Sequence, residues 1–147
     1  MTNKLVTPAT FKTTQICLII LCLAYIFTGC ATAKTAQTSK LPINTKWLLE
    51  DINDNGVIES VQSWLMFYKD QKISGSGGCN HFSGSYTYKD NKIKIGPLAS
   101  TRMFCGTASQ QESIFLGTLA NPLNVKTENG LLILQGNGKT LRFSRMK

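Results

Sequence analysis

The stretch FSGSYTYKDNKIKI, residues 82–95, decides the fold. Phe82, Gly84, Tyr86 and Tyr88 alternate with Ser83, Ser85 and Thr87, so one face is apolar and the other polar, the period-2 pattern of a half-buried strand. Lys89-Asp90-Asn91 supplies a turn. Ile93 and Ile95 then alternate with lysines until Gly96-Pro97 breaks the pattern. Upstream, WLLED, SWLMFY and ISGS read as further short strands, the last two joined by Lys69-Asp70-Gln71-Lys72. Downstream, NVKT and LLILQ meet at Glu128-Asn129-Gly130, and Gly136-Asn137-Gly138 leads into TLRFSR. One helix interrupts the series. Ser109-Gln110-Gln111-Glu112 fits a capping box, Ile114, Phe115 and Leu119 give an apolar side, and Asn121-Pro122 ends it. The expected class is α+β, mainly antiparallel β, with about eight short strands in a curled sheet or small barrel and one helix packed on it.

The start of the chain tells where the protein goes. ICLIILCLAYIF, residues 16–27, is unbroken apolar sequence preceded by Lys4 and Lys12 and by no acidic residue. That is the layout of a secretory signal, too short to span a bilayer core of about 30 Å. The FTGC that follows resembles the lipobox of bacterial lipoproteins, with Phe27 where Leu is usual. The resemblance implies cleavage before Cys30 and a lipid on its thiol. Residues 1–29 are thus expected to be a lipoprotein signal peptide and 30–41 a flexible, lipid-anchored tether. One domain is expected over 42–147. The small polar run ATAKTAQTSK allows a stand-off of up to roughly 35 Å. Ala31, not Asp, after Cys30 favours the outer membrane by analogy with lipoprotein sorting. The expected location is therefore the cell envelope, outer-membrane anchored and facing the periplasm.

The chain is strongly basic, with a formal net charge of +8. Export argues against nucleic acid as a partner. Solubility and weak attraction to anionic lipid head groups account for the charge, with Lys89, Lys92 and Lys94 on the solvated face of a hairpin. Cys17 and Cys22 leave with the signal and Cys30 carries lipid. Cys79 and Cys105 remain, an even pair in an oxidising compartment, which predicts a disulfide; two buried free thiols are the competing reading.

Other motifs point weakly to chemistry. Asp51, Asn53, Asn55 and Gly56 match the start of a calcium loop, but Gln62 stands where the bidentate carboxylate belongs. Gly75-Ser76-Gly77-Gly78 lacks the helix and Lys-Ser/Thr of a phosphate loop and reads as close backbone approach. Cys79, His81 and Cys105 offer three metal ligands where structural zinc wants four, so no metal is expected. A Cys–His nucleophile pair is conceivable on paper, but a thiol there is prone to oxidation, and the eight acidic residues form no pair. The expectation is no catalytic residue and no cofactor.

Trp47-Leu48-Leu49, ISGSGGCNHFSGSY (residues 73–86) and IGPLASTRMFC (residues 95–105) together resemble the META domain, whose heat-shock-linked bacterial members are the HslJ-like proteins. QQESIFLGTL and LLILQGNGKTLRF also fit, so the likeness covers about residues 43–145. It implies a small antiparallel β fold with one helix, found as a structural or binding module in envelope lipoproteins and associated with stress response and envelope integrity. It brings no agreed catalytic residue, cofactor or substrate. The motif residues Gly77, Gly78, Asn80, Phe82, Gly84, Thr101 and Arg102 are expected to be structural or partner-binding. Gly75, Gly77 and Gly78 permit special backbone conformations, and Asn80 bonds its own turn. Ser100, Thr101 and Arg102 hold that loop, with Arg102 as a charged anchor, while Cys79 and Cys105 tie the two motif loops together.

The expected function is therefore binding or scaffolding by a monomeric, lipid-anchored envelope protein. Its partners are the membrane, through Cys30, and an unidentified envelope protein. Two alternatives remain. A carrier would line an apolar pocket with Trp64, Phe67, Tyr86 and Tyr88. An inhibitor would present the loop from Cys79 to Ser83 to another protein.

Overall fold

Alternation along the strands builds the core. The computed structural model describes residues 40–147, so the expected signal, the expected acylation site Cys30 and nearly all of the expected tether lie outside the described residues. The strands are β1 (Lys46–Ile52), β2 (Asn55–Gly56), β3 (Trp64–Phe67), β4 (Lys72–Ser76), β5 (His81–Lys89), β6 (Lys92–Ile95) and β7 (Ala99–Ser100). Helix α1 (Thr107–Leu119) follows, then β8 (Leu123–Glu128), β9 (Leu131–Gly136) and β10 (Lys139–Arg145). In β5, Phe82 and Tyr86 are buried while Ser83, Ser85 and Thr87 are exposed, as the alternation requires.

All pairings are antiparallel, in the order β10-β9-β8-β6-β5-β4-β3-β1. The pairing of β1 with β10 closes the sheet into an eight-stranded barrel, so the curled-or-closed alternative resolves as closed. The two shortest strands are extras: β2 pairs with the end of β1, and β7 with the start of β5.

Local turn chemistry fixes the register. Four two-residue turns, Asn53-Asp54, Asp90-Asn91, Asn129-Gly130 and Asn137-Gly138, have positive φ at both positions. That is the type I′ geometry whose twist suits a hairpin, and Asn, Asp and Gly tolerate it. The β3–β4 connection, residues 68–71, is two residues longer. It closes with Tyr68 N–H on Lys72 O at 2.8 Å and Gln71 at φ 60°.

The barrel is filled by its own side chains. Trp47, Leu49, Leu65, Phe67, Ile73, Phe82, Tyr86, Leu134 and Phe143 are among the buried residues. Helix α1 lies across the end where β1 and β4 finish and β5 begins, and it lowers Phe115 and Leu119 into the core. The Phe115 ring meets Phe82 at 5.9 Å and Phe143 at 6.0 Å. Ile114, expected on the apolar side, is exposed instead.

The capping box does not form. Gly106 precedes the helix and caps it without a side-chain bond. Ser109 sits inside the first turn and accepts the Cys105 N–H at 3.0 Å, while Glu112 points away to another loop.

Candidate functional site

Two adjacent polar residues on the buried face of α1 organise the covered end of the barrel. Gln111 and Glu112 share that face with Ala108, Phe115 and Leu119, at the spacing of successive helical turns. Gln111 Oε1 accepts the Ile58 N–H at 2.8 Å, and its amide donates to Ser63 Oγ at 3.2 Å. Ser63 Oγ in turn donates to Gly77 O at 2.7 Å. Glu112 takes the next loop: its carboxylate accepts Asn80 N–H at 2.6 Å, Cys79 N–H at 3.2 Å and Asn80 Nδ2 at 2.6 Å. A buried carboxylate with no ion-pair partner among the described residues is tolerable because three donors converge on it.

Asn80 carries the network onward. Its Oδ1 accepts Thr101 Oγ1 at 2.8 Å and Met103 N–H at 2.7 Å, while its Nδ2 also reaches Met103 O at 3.1 Å. Both halves of the amide are therefore satisfied by protein; the reverse orientation would set its NH2 against the Met103 N–H. Thr101 Oγ1 also accepts the His81 N–H at 3.2 Å. Cys79 and Cys105 are joined as a disulfide, with Cα atoms 5.8 Å apart, pinning the segment after β7 to the start of β5.

The glycines serve this packing through what they lack. A Cβ at Gly77 would lie 2.3 Å from Glu112 Cγ, and one at Gly75 2.4 Å from Phe82 Cζ. Of the three glycines expected to need special backbone conformations, Gly78 alone has positive φ, at 106°. Gly75 and Gly77 are required for space. Gly84 lets Pro97 and Leu98 cross over β5.

The sequence-predicted residues separate into two groups. Gly77, Gly78, Asn80, Phe82, Thr101 and the two cysteines come together around Glu112. Arg102 does not anchor the loop: it is exposed and makes no ion pair among the described residues. Asn80 bonds the 101–103 segment and Glu112 in place of its own turn. Gln111, Glu112 and Ser63 were not singled out as site residues. The signal available for the first two was a Gln-Glu pair in register with Phe115 on one helical face.

Other candidate chemistries meet the same structure. The sulfurs of Cys79 and Cys105 are bonded to each other, leaving neither as a thiol beside His81. Asp51 and Asp54 both turn onto Arg142, Asp51 at 3.1 Å, and Asn53 Oδ1 accepts the Thr140 N–H at 2.8 Å, so the calcium-like loop is a hairpin closed on β10. Phe67 and Tyr86 meet edge to face at 5.2 Å within the core, and the Trp64 ring lies under Lys46 Nζ at 4.0 Å. These aromatic rings are engaged with one another and with Lys46. The loop from Cys79 to Ser83 is not presented either: Cys79, Asn80 and Phe82 are buried, and only His81 and Ser83 are exposed. What stands out instead is the next loop, where Met103 is 57% and Phe104 86% exposed.

Comparison with known proteins agrees with this architecture. An NMR structure of a protein from Burkholderia xenovorans is 27% identical, with a TM-score of 0.59 over 78% of this chain and 97% of its own. A second NMR structure is 25% identical, with a TM-score of 0.59 over 68% of this chain and 87% of its own. No sequence among the curated proteins matches the chain. The META domain family model matches residues 39–147, the whole barrel with its helix, and the chain belongs to that family.

Proposed function

We propose that this protein is a lipid-anchored envelope module that works by binding another protein and performs no catalysis. One observation carries the reading. The polar groups of the motif cluster are spent on one another, from Glu112 through Asn80 to Thr101, while Met103 and Phe104 stand exposed beside them. A catalytic site needs polar groups left free to meet substrate; a binding module needs exposed apolar side chains on a rigid support. The disulfide holds the loop carrying Met103 and Phe104 against the barrel, so little ordering cost remains when a partner closes over it. The signal-like residues 16–27 and the FTGC before Ala31 support the anchoring half of the proposal.

Two measurements test it. The intact mass of the protein from envelope fractions is expected to start at Cys30 and carry diacylglycerol, and Cys30→Ser to block that processing. A photo-crosslinking residue in place of Phe104 is expected to capture one defined envelope protein, and the same residue in place of Lys94 is not. Equal capture from both positions overturns the binding reading; an unacylated mature protein overturns the anchor.

A further inference from the structure

The register of the barrel sorts its charges between two ends. The chain enters β1 at Lys46, and at this same end lie the β3–β4 turn, the β5–β6 turn and the finish of β10. Here Lys69, Lys72, Lys89, Lys92, Arg145 and Lys147 are all exposed, and none makes an ion pair among the described residues. Against them stand Asp70 and Asp90; Glu128 is occupied by Lys126 at 2.6 Å. The acidic residues Asp51, Asp54, Glu59 and Glu112 belong to the opposite end, which helix α1 covers. Lys89 even sits directly across from Lys92. Like charges placed so cost stability, and nothing in the fold requires them.

We infer that this basic end docks on an anionic phospholipid surface, standing the barrel upright on the membrane with the Met103-Phe104 loop pointing away from it. The inference rests on the lipid-anchored reading above. Two features name a bilayer as the occupant. The cations ring the rim of a barrel end, which suits a plane of head groups. It is also the end from which the preceding chain leaves, so a tether from Cys30 delivers this rim to the surface first. The strand β5 runs from His81, beside that loop, to Lys89 at the rim, about 26 Å along the strand at 3.3 Å per residue. The loop is thus held a barrel's length from the lipid, where a soluble partner can reach it.

The test removes the anchor so that the two readings fail separately. Residues 31–147 contain every core residue among the described ones, the disulfide and the helix, and the two similar solved structures match this chain over 87% and 97% of their own length. This chain is mixed with vesicles of phosphatidylcholine alone, or of phosphatidylcholine with phosphatidylglycerol, and sedimented. Selective binding to the anionic vesicles, weakening with salt, is expected. Combined Lys69→Gln, Lys89→Gln and Lys92→Gln is expected to weaken it roughly a hundredfold, about fivefold per lysine, with a urea midpoint no lower than the wild type's, since the Lys89–Lys92 repulsion goes with the charges. Lys139→Gln at the opposite end is expected to have no effect. Equal binding to neutral vesicles, no salt dependence, or an equal loss with Lys139→Gln overturns the docking. None of these outcomes bears on acylation of Cys30, which the intact mass reads independently.

Discussion

Glu112 is the side chain on which the covered end of the barrel depends. It closes three hydrogen bonds to a loop more than thirty residues away in sequence, with an Oε2 distance of 2.6 Å to Asn80 N–H. Glu112→Gln keeps the shape but turns an NH2 toward donors. It is expected to cost about 2–4 kcal/mol in urea unfolding, from charged hydrogen bonds lost and a buried group left unpaired. A loss under about 1 kcal/mol would mean that the network contributes little net stability. Tyr86 gives a pH signature. Its hydroxyl donates to Tyr68 O at 2.8 Å, and burial first, then the charge of Asp70, raises its pKa above the ordinary 10.0. The unfolded chain therefore loses this proton before the folded one does. The stability it contributes is complete below about pH 10 and is lost as pH rises through the raised folded value. Against Tyr86→Phe, the wild type is expected to fall more steeply in denaturant midpoint above that pH. Parallel curves would rule out Tyr86 as the cause.

At the scale of elements, legibility followed the range of the interactions. The hairpins were readable because their turns are decided by two or three adjacent residues: Asp90-Asn91, Asn129-Gly130 and Asn137-Gly138 all adopt the backbone their side chains favour. Helix α1 was readable in extent but not in use. Ser109 and Glu112 have the spacing of a capping box, yet the start of the helix falls to Gly106, because Glu112 gains more from the donors of the 79–80 loop. No pattern of neighbours reveals a partner that far along the chain. The same limit hid the burial of Asn80 and the exposure of Phe104, which both depend on where the segment after β7 is pinned. That pinning is testable. The disulfide closes a separation of 26 residues, for which chain entropy suggests about 3–4 kcal/mol. Cys79→Ser is expected to lose this under oxidising conditions and to match the wild type when both are reduced; equal deficits in both would point to packing of the sulfur. In the β3–β4 connection, Gln71 occupies a left-handed conformation without the short side chain that suits it. Gln71→Gly is expected to raise stability by about 0.5–1 kcal/mol in the same assay, with no gain as the contrary result.

At the scale of the whole molecule, the seam between β1 and β10 joins the first strand to the last. Trp47 lies opposite Arg145, and the Thr140 N–H reaches Asn53 across 87 residues of sequence. Every other neighbouring pair in the barrel is joined by a short turn, by the connection 53–63 that carries β2, or by the crossing that carries β7 and α1. The seam therefore carries the largest loop-closure cost of any pairing in the barrel. Its meaning for the cell lies in timing. A chain interrupted before its last strand has two unpaired strand edges, one on β1 and one on β9, both flanking apolar interior. The domain cannot mature piecemeal as it is made. Until the final seven residues of β10 are delivered, it is a sticky ribbon that must be kept from its neighbours, and their arrival turns it into a sealed cylinder.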